Sequence, residues 1–242
     1  HCRAWKLALP PPRADRLEGY RVAAWLDDAA FPVDAQVRGR LEATVEALRR
    51  AGVRVDTEAR PAITLAEIYE VYWKLLNPII VSDMPKGVQD MLAEIGRSAP
   101  VEDTSAYAVT VRNATQRHLE WLAAHERRAV FNARWAEFFE RHDVLLLPVN
   151  SVEAIPHDHT DPLLARTISV NGQRRAYTDL FGWIAPATLS LLPATVAPVG
   201  RTDAGLPVGV QIVGPRLEDR TPLAFAAHLR AVIGGFERPG AY

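Results

Sequence analysis

The chain has 242 residues, of which 48% are hydrophobic and 24% are charged, and its formal net charge is −1. This hydrophobic fraction is large enough to build a core and excludes a disordered chain, while the near-zero net charge gives no basis for binding nucleic acid or an anionic membrane. The single cysteine, Cys2, excludes an internal disulfide and a cysteine-based zinc site, and it suits a reducing cytoplasm.

The first eighteen residues are predicted to form a connecting segment. Pro10, Pro11 and Pro12 make a proline run, which favours an extended chain on the surface. We interpret residues 1–18 as a linker or as a crossover between two halves of a larger fold.

The next segment has the pattern of a strand, a helix and a strand. The apolar run at residues 20–26 predicts a buried strand. Apolar residues then recur at helical spacing from Val37 to Leu48, with Asp34 as the expected N-cap and Gly52 as the expected stop. Residues 53–56 predict a second strand, and the short links favour a parallel βαβ unit.

Residues 64–142 have a mostly helical pattern. Thr64 and Glu67 have the spacing of a capping box, and the apolar stripe that follows runs to Pro78, which predicts the end or a kink of that helix. Amphipathic segments around 109–125 and 127–141 predict two further helices. Residues 19–142 are therefore interpreted as a βαβ unit followed by a helical region.

Residues 143–242 are predicted to hold core strands, hairpins and a last helix. The uninterrupted apolar run at 143–148 is typical of a strand in the middle of a sheet that helices cover. Asn171-Gly172 predicts a type I′ hairpin between 167–170 and 173–177. Strands at 194–199 and 208–213, a turn at 202–205 and a helix at 222–232 follow. The whole pattern predicts an α/β fold with a mixed β-sheet flanked by helices.

One segment carries a specific resemblance. Residues 192–200 and then Gly205-Leu206-Pro207-Val208-Gly209-Val210-Gln211 up to Pro215 resemble the closing strands of amidase-signature enzymes, with Asp219 matching an acidic residue before their last helix. The strand at 143–148 and the βαβ unit are also similar to the middle of such enzymes. The resemblance implies that residues 1–242 are the C-terminal half of an amidase-signature domain.

The same resemblance implies amide hydrolysis through an acyl-enzyme. Such enzymes use a serine nucleophile, a second serine in a cis peptide and a lysine base, with an oxyanion held by a Gly-Gly-Ser-Ser-Gly-Gly-like loop. The serines here are Ser82, Ser98, Ser105, Ser151, Ser169 and Ser190, and the lysines are Lys6, Lys74 and Lys86. No two serines are adjacent and none lies in a glycine-rich loop, and no lysine matches the family's base. We therefore expect no catalytic residue in this chain, and no cofactor or metal.

Substrate contacts are expected where the predicted strands end. In open α/β sheets, ligands gather outside the carboxyl ends of the strands. That position is predicted for Asn150 and Ser151, and for Tyr177, Phe181 and Trp183 before the strand at 194–199. The aromatic residues would shape an acyl or amine pocket, and core packing is the competing explanation for them.

The histidine pair His157 and His159 offers a different chemistry. His-x-His with flanking carboxylates has the residue types of a divalent metal site, and Ser151, His157 and Asp161 are the types of a hydrolytic triad. Because no regular element, nucleophile elbow or oxyanion loop accompanies them, a polar surface loop is the favoured interpretation.

Three functions remain open from the sequence. In the first, the chain is the substrate-shaping half of an amidase for a small amide, carbamate or ester, active with an N-terminal half from the same gene or a separate chain. In the second, it is a non-catalytic truncated product or a binding and assembly module, with homo-oligomers formed through an exposed sheet edge. The third is an independent hydrolase that uses the His157 region. No apolar run approaches the ~18 residues of a membrane helix and no signal peptide opens the chain, so we expect a cytoplasmic protein without membrane or nucleic-acid partners.

Overall fold

A computed structural model of the chain describes residue 4 and residues 6–238. Cys2 and part of the predicted linker at 1–18 lie outside the described residues. Strands β1 to β7 are Val22–Ala24, Val55–Asp56, Val144–Pro148, Thr167–Val170, Gln173–Ala176, Ala194–Arg201 and Pro207–Val213. Helices α1 to α7 are Ala35–Arg50, Leu65–Ser82, Lys86–Ser98, Ala106–Ala114, His118–Arg141, Ala185–Ser190 and Arg220–Ile233.

Five strands form a mixed sheet in the order β2-β1-β3-β7-β6. β1 is parallel to β2 and to β3, whereas β7 is antiparallel to β3 and to β6. All five residues of the central strand β3 are buried, as its uninterrupted apolar sequence predicts. Helices α1 and α7 contact each other and β6, while α2, α5 and α6 contact one another. The α/β class with a mixed sheet flanked by helices is therefore confirmed.

The βαβ unit forms as its sequence predicts, with shorter strands. Asp34 caps α1, because its side chain accepts a hydrogen bond from the backbone N–H of Gln36. Val22 and Ala23 of β1 pair in parallel with Val55 and Asp56 of β2. Strands from both predicted segments, 19–142 and 143–242, lie in the same sheet, so the βαβ unit and the C-terminal strands build one core.

The helical region differs from its prediction in where helices begin and end. α5 runs without interruption from His118 to Arg141, so the expected break near residue 126 is wrong, and the chain breaks instead at 115–117. α2 carries its predicted capping box at Thr64 and continues past Pro78 to Ser82. The missing N–H of Pro78 leaves the carbonyl of Lys74 free, and the Gln116 amide donates to that oxygen at 2.6 Å. This contact from the link between α4 and α5 stabilises α2 beyond Pro78, where the local sequence alone predicts an end or a kink.

Both predicted hairpins are present. Asn171 and Gly172 have φ values of 51° and 76°, as a type I′ turn between β4 and β5 requires. In the β6–β7 hairpin, a Cβ on Gly209 would lie 3.0 Å from Cγ1 of Val196. A Cβ on Gly214 would lie 2.7 Å from Cδ of Pro222 at the start of α7. These glycines let β7 approach its neighbours closely, which explains their place in the motif.

Among the described residues, no helix combines the length and apolarity needed to cross a bilayer.

Candidate functional site

Two loops meet at the carboxyl edge of the sheet. Residues 27–34 follow β1, and residues 149–152 follow β3, its parallel neighbour. The Asp34 N–H donates to the carbonyl oxygen of Ser151 at 2.8 Å and joins the two loops. Because the carboxyl ends of parallel strands open to one side, this edge is where a ligand is expected in such a sheet. We call it the strand-end site.

The β4–β5 hairpin packs on the strand-end site through Asn171. Its Oδ1 accepts from the Ala35 N–H at 2.9 Å, and its Nδ2 donates to the Val33 carbonyl at 3.1 Å. Arg175 of the same hairpin donates to the carbonyl of Ala30 at 2.6 Å and pairs with Asp179 at 2.7 Å. The hairpin therefore holds the loop after β1 in its middle and at its C-terminal end.

Gln211 connects the family-like motif to the strand-end site, a role that the sequence resemblance alone does not predict. Its side chain is only 5% exposed, and Nε2 donates to the carbonyls of Trp183 at 3.0 Å and Pro148 at 3.4 Å. The Trp183 indole N–H in turn donates to the Phe31 carbonyl at 3.0 Å. A glutamine within an otherwise apolar strand is the signal that could have identified this residue.

A first cleft of about 460 Å³ opens between the loop after β3 and the β6–β7 hairpin. Asn150 and Glu153 line it from the loop, and Val196, Pro198 and Gly209 line it from the hairpin. The Oδ1 of Asn150 accepts from the Ser151 N–H at 2.7 Å, which fixes that side chain against its own loop. The lining is mainly apolar, with the Asn150 amide and the Glu153 carboxylate as polar groups.

A second cavity of about 300 Å³ lies between α2, α4 and the loop after β1. We call it the aromatic cavity, because Phe31, Tyr69 and Trp73 line it. The Phe31 and Tyr69 ring centroids are 4.6 Å apart, and the Tyr69 hydroxyl donates to the Thr178 carbonyl at 2.9 Å. Burial raises the pKa of Tyr69, so its phenol stays protonated and remains a donor at neutral pH.

The structure does not bring the five predicted substrate contacts into one pocket. Asn150 lines the first cleft, and Phe181 packs edge-on against Trp73 of the aromatic cavity at 5.4 Å. Tyr177 packs against a small cluster formed by Val152, Ile168 and Val170. Ser151 and Trp183 are 1% and 0% exposed, so both are enclosed by protein. A substrate contact by any of the five stays a prediction.

The His157–His159 loop is exposed. The two imidazole centroids lie 6.1 Å apart, and both side chains are exposed while Ser151 is buried. Over residues 6–238, no group of three histidine, cysteine or acidic side chains is placed to hold a metal ion. These positions fit the polar surface loop that the sequence predicts.

Three of the serines and two of the lysines make structural hydrogen bonds or ion pairs, whereas the buried hydroxyl of Ser190 has no partner among the described residues. Ser105 caps α4, and the hydroxyls of Ser82 and Ser98 donate to carbonyls of their own helices. Lys74 pairs with Glu70 at 2.8 Å, and Lys86 pairs with Asp90. In the part of the chain that the structure describes, no serine hydroxyl is hydrogen-bonded to a lysine or a histidine.

Comparison with known proteins gives consistent matches. A family model described as Amidase matches residues 5–223. Fatty-acid amide hydrolase 2-A of Danio rerio is 36% identical over 97 residues, which are 40% of this chain and 16% of that protein. An amidase of Gibberella moniliformis is 26% identical over 239 residues, covering 90% of this chain and 40% of that protein.

A solved structure has the same fold. The crystal structure of a bacterial aryl acylamidase of the amidase signature family superposes with a TM-score of 0.66 at 20% identity, covering 91% of this chain and 45% of that chain. The chain therefore spans less than half the length of each of these three proteins.

Proposed function

Because this chain belongs to the amidase family, we propose that it forms the substrate-shaping half of a hydrolase that cleaves small amides, carbamates or esters. In this proposal a serine acyl-enzyme forms on a nucleophile that a second half supplies, either from the same gene or as a separate chain. The clefts at the strand-end site then form the walls against which the acyl or amine group lies.

The observation that carries this proposal is the contrast between fold and chemistry. The family match runs over residues 5–223, yet no described serine has a lysine or histidine partner to take its proton. An unactivated serine hydroxyl is a poor nucleophile, because it must lose a proton as it attacks. We therefore assign the nucleophile, the cis-serine and the lysine base to the second half, and the positioning of substrate to this chain.

An apolar surface on β6 supports a partner for this chain. Ala194, Val196 and Pro198 alternate along β6, and all three are exposed, with Val196 58% exposed. β6 is an outer strand of the sheet, and among the described residues no strand pairs with its free edge. A free edge with apolar side chains is a surface that proteins usually cover. The first cleft borders the same strand, so a partner on β6 would also enclose that cleft.

The predicted site residues have separate parts in this proposal. We assign substrate contacts to Asn150 and Phe181, and this is supported by the position of Asn150 at the first cleft and by the packing of Phe181 against Trp73 of the aromatic cavity. Tyr177 is assigned a substrate contact from the side of the β4–β5 hairpin. The backbone carbonyl of Ser151 accepts from the Asp34 N–H, and the indole N–H of Trp183 donates to the Phe31 carbonyl, so both residues hold the loops that line the site. The names of the relatives, a fatty-acid amide hydrolase and an aryl acylamidase, support an amide with an apolar or aromatic group.

The same β6 surface favours the second candidate, a non-catalytic binding module. Such a module would use the exposed edge to assemble with a partner or with a second copy, without any hydrolysis. The two candidates differ in one observable, because only the first predicts that a partner restores chemistry.

The test is co-expression of this chain with a segment that carries a Gly-Gly-Ser-Ser-Gly-Gly-like loop from the adjoining reading frame. We expect the pair to hydrolyse small aryl amides or carbamates, and each half alone to be inactive. As a matched control, the same pair with the nucleophilic serine of the partner changed to alanine should form the complex and lose activity. A complex that forms without any gain in hydrolysis would favour the binding module.

A further inference from the structure

The aromatic cavity contains a buried polar group that the fold does not use. Asn77 lies on α2, lines the cavity and is 4% exposed. Its Nδ2 has no hydrogen-bond partner. A buried amide donor without a partner destabilises the folded protein, so native structures contain few of them. An acceptor that binds in the cavity would satisfy this donor, and the described residues do not provide one.

The irregularity of α2 at Pro78 does not account for Asn77. The carbonyl that Pro78 leaves free belongs to Lys74, and Gln116 already donates to it at 2.6 Å. The indole of Trp121 donates to the next carbonyl, that of Leu75, at 3.3 Å. The backbone near Pro78 is thus satisfied from α4–α5 without the Asn77 side chain.

Two other polar side chains at the cavity, those of Tyr69 and Glu70, have partners within the protein. The hydroxyl of Tyr69 donates to the Thr178 carbonyl at 2.9 Å. The carboxylate of Glu70 is paired with Lys74 at 2.8 Å and with Arg127 at 3.0 Å. The charge at the rim is therefore compensated, and no unpaired charge of these groups faces an occupant of the cavity.

We propose that the aromatic cavity binds a neutral aromatic group that carries a hydrogen-bond acceptor, and that Asn77 donates to this acceptor and determines specificity for it. This inference rests on the proposed function in one respect, namely that the group belongs to the acyl or amine part of the substrate. Asn77 acts by binding, and it takes no part in bond cleavage.

The size and walls of the cavity define the class of ligand. A volume of about 300 Å³ accommodates one substituted ring rather than a long alkyl chain. Phe31, Tyr69 and Trp73 present rings that meet at tilted or perpendicular angles, which favours edge-to-face contact with another ring. The χ2 torsion of asparagine has a broad distribution, so the orientation of the Asn77 amide is not restricted to a single rotamer.

The experiment compares two probes of nearly equal shape on the 242-residue chain, acetophenone with its carbonyl acceptor and ethylbenzene without one. Dissociation constants come from chemical-shift titrations by NMR. We expect acetophenone to bind about fivefold more tightly than ethylbenzene, the factor that one ordinary hydrogen bond provides. Asn77→Leu should remove this preference while leaving the thermal midpoint unchanged or higher, since it removes an unpartnered donor.

Asn132→Leu is the matched control. Asn132 also has an unpartnered buried amide atom, but it lines a different cavity on α5, so its replacement should leave the preference intact. Asn77→Met repeats the comparison with a flexible side chain, should the leucine variant fold poorly.

Equal affinity of the two probes for the unsubstituted chain would overturn the role of Asn77, and so would a preference that survives in Asn77→Leu. No binding of either probe would overturn the cavity as a site. Because binding is measured without hydrolysis, a normal preference in a pair of halves that does not hydrolyse amides would contradict the proposed function alone.

Discussion

At the scale of single residues, the buried polar side chains explain how the loops of the site are held. Gln211 donates to two carbonyls and Trp183 to a third, so the family-like motif is tied to the strand-end site through hydrogen bonds rather than through chemistry. Asp143 is a buried polar side chain that holds neighbouring segments together at the opposite edge of the sheet. Its carboxylate, 7% exposed, accepts from the backbone and guanidinium of Arg21 and from Arg13.

The Asp143 carboxylate makes the free energy of unfolding depend on pH in the acid range. Burial raises the pKa of its carboxyl, but the hydrogen bonds from Arg21 and Arg13 outweigh burial and hold the pKa below the ordinary value. A lowered pKa in the folded state contributes stability that is present above about pH 4 and is lost as the pH falls through the folded pKa.

We therefore expect the free energy of unfolding, measured by urea titration, to fall as the pH drops below about 4. Asp143→Asn should reduce this acid dependence and lower stability at pH 7 by about 2 kcal/mol, since hydrogen bonds to a charged group are lost. Asp83→Asn, at an exposed carboxylate after α2, serves as the control and should change neither. The same acid slope in Asp143→Asn as in the unsubstituted chain would contradict this role.

At the scale of elements, the sequence predicts those parts that local rules determine. The cap at Asp34, the capping box at Thr64 and the turn at Asn171-Gly172 each depend on residues a few positions apart. The continuation of α2 past Pro78 and the start of α5 at His118 do not follow from local rules, because they depend on distant contacts such as the one from Gln116 to Lys74. The burial of Trp183 does not follow from local sequence either, because the Phe31 carbonyl that accepts its indole N–H lies 152 residues away.

The β4–β5 hairpin positions the loop after β1, so its attachment is a testable element. Asn171→Ala removes two side-chain hydrogen bonds to Ala35 and Val33, and it places alanine at a φ of 51°. We expect a loss of about 2 kcal/mol in urea denaturation, because both effects destabilise the folded state. Gln173→Ala, at an exposed position of the same hairpin, should cost much less. Equal losses for the two variants would show that Asn171 does not anchor the hairpin.

At the scale of the whole molecule, the proposed division between two halves depends on the surface of β6. The absence of a catalytic serine motif can be recognised from the sequence alone, because it needs only an inventory of serines and lysines. The two clefts could not be predicted from the sequence, because their walls combine residues that are far apart in the chain. These residues come from α2, the loops after β1 and β3, and the β6–β7 hairpin.

The β6 edge also predicts how the isolated chain behaves in solution. We expect light scattering to find dimers or larger species that Val196→Lys shifts toward the monomer, since a charge on an edge strand opposes pairing. Val130→Lys, at a similarly exposed valine on α5 (51% against 58% for Val196), is the control and should leave the size unchanged. A monomer for the unsubstituted chain, or the same shift in both variants, would argue against β6 as the assembling edge.

The most direct test of the division of labour is to locate the nucleophile. A fluorophosphonate, which labels activated serines, is added to this chain alone and to its complex with the nucleophile-bearing half, and the labelled peptide is identified by mass spectrometry. We expect no label on Ser151 or on the other five serines in either sample, and a label on the partner in the complex. Stoichiometric labelling of any serine of this chain would contradict this division of labour.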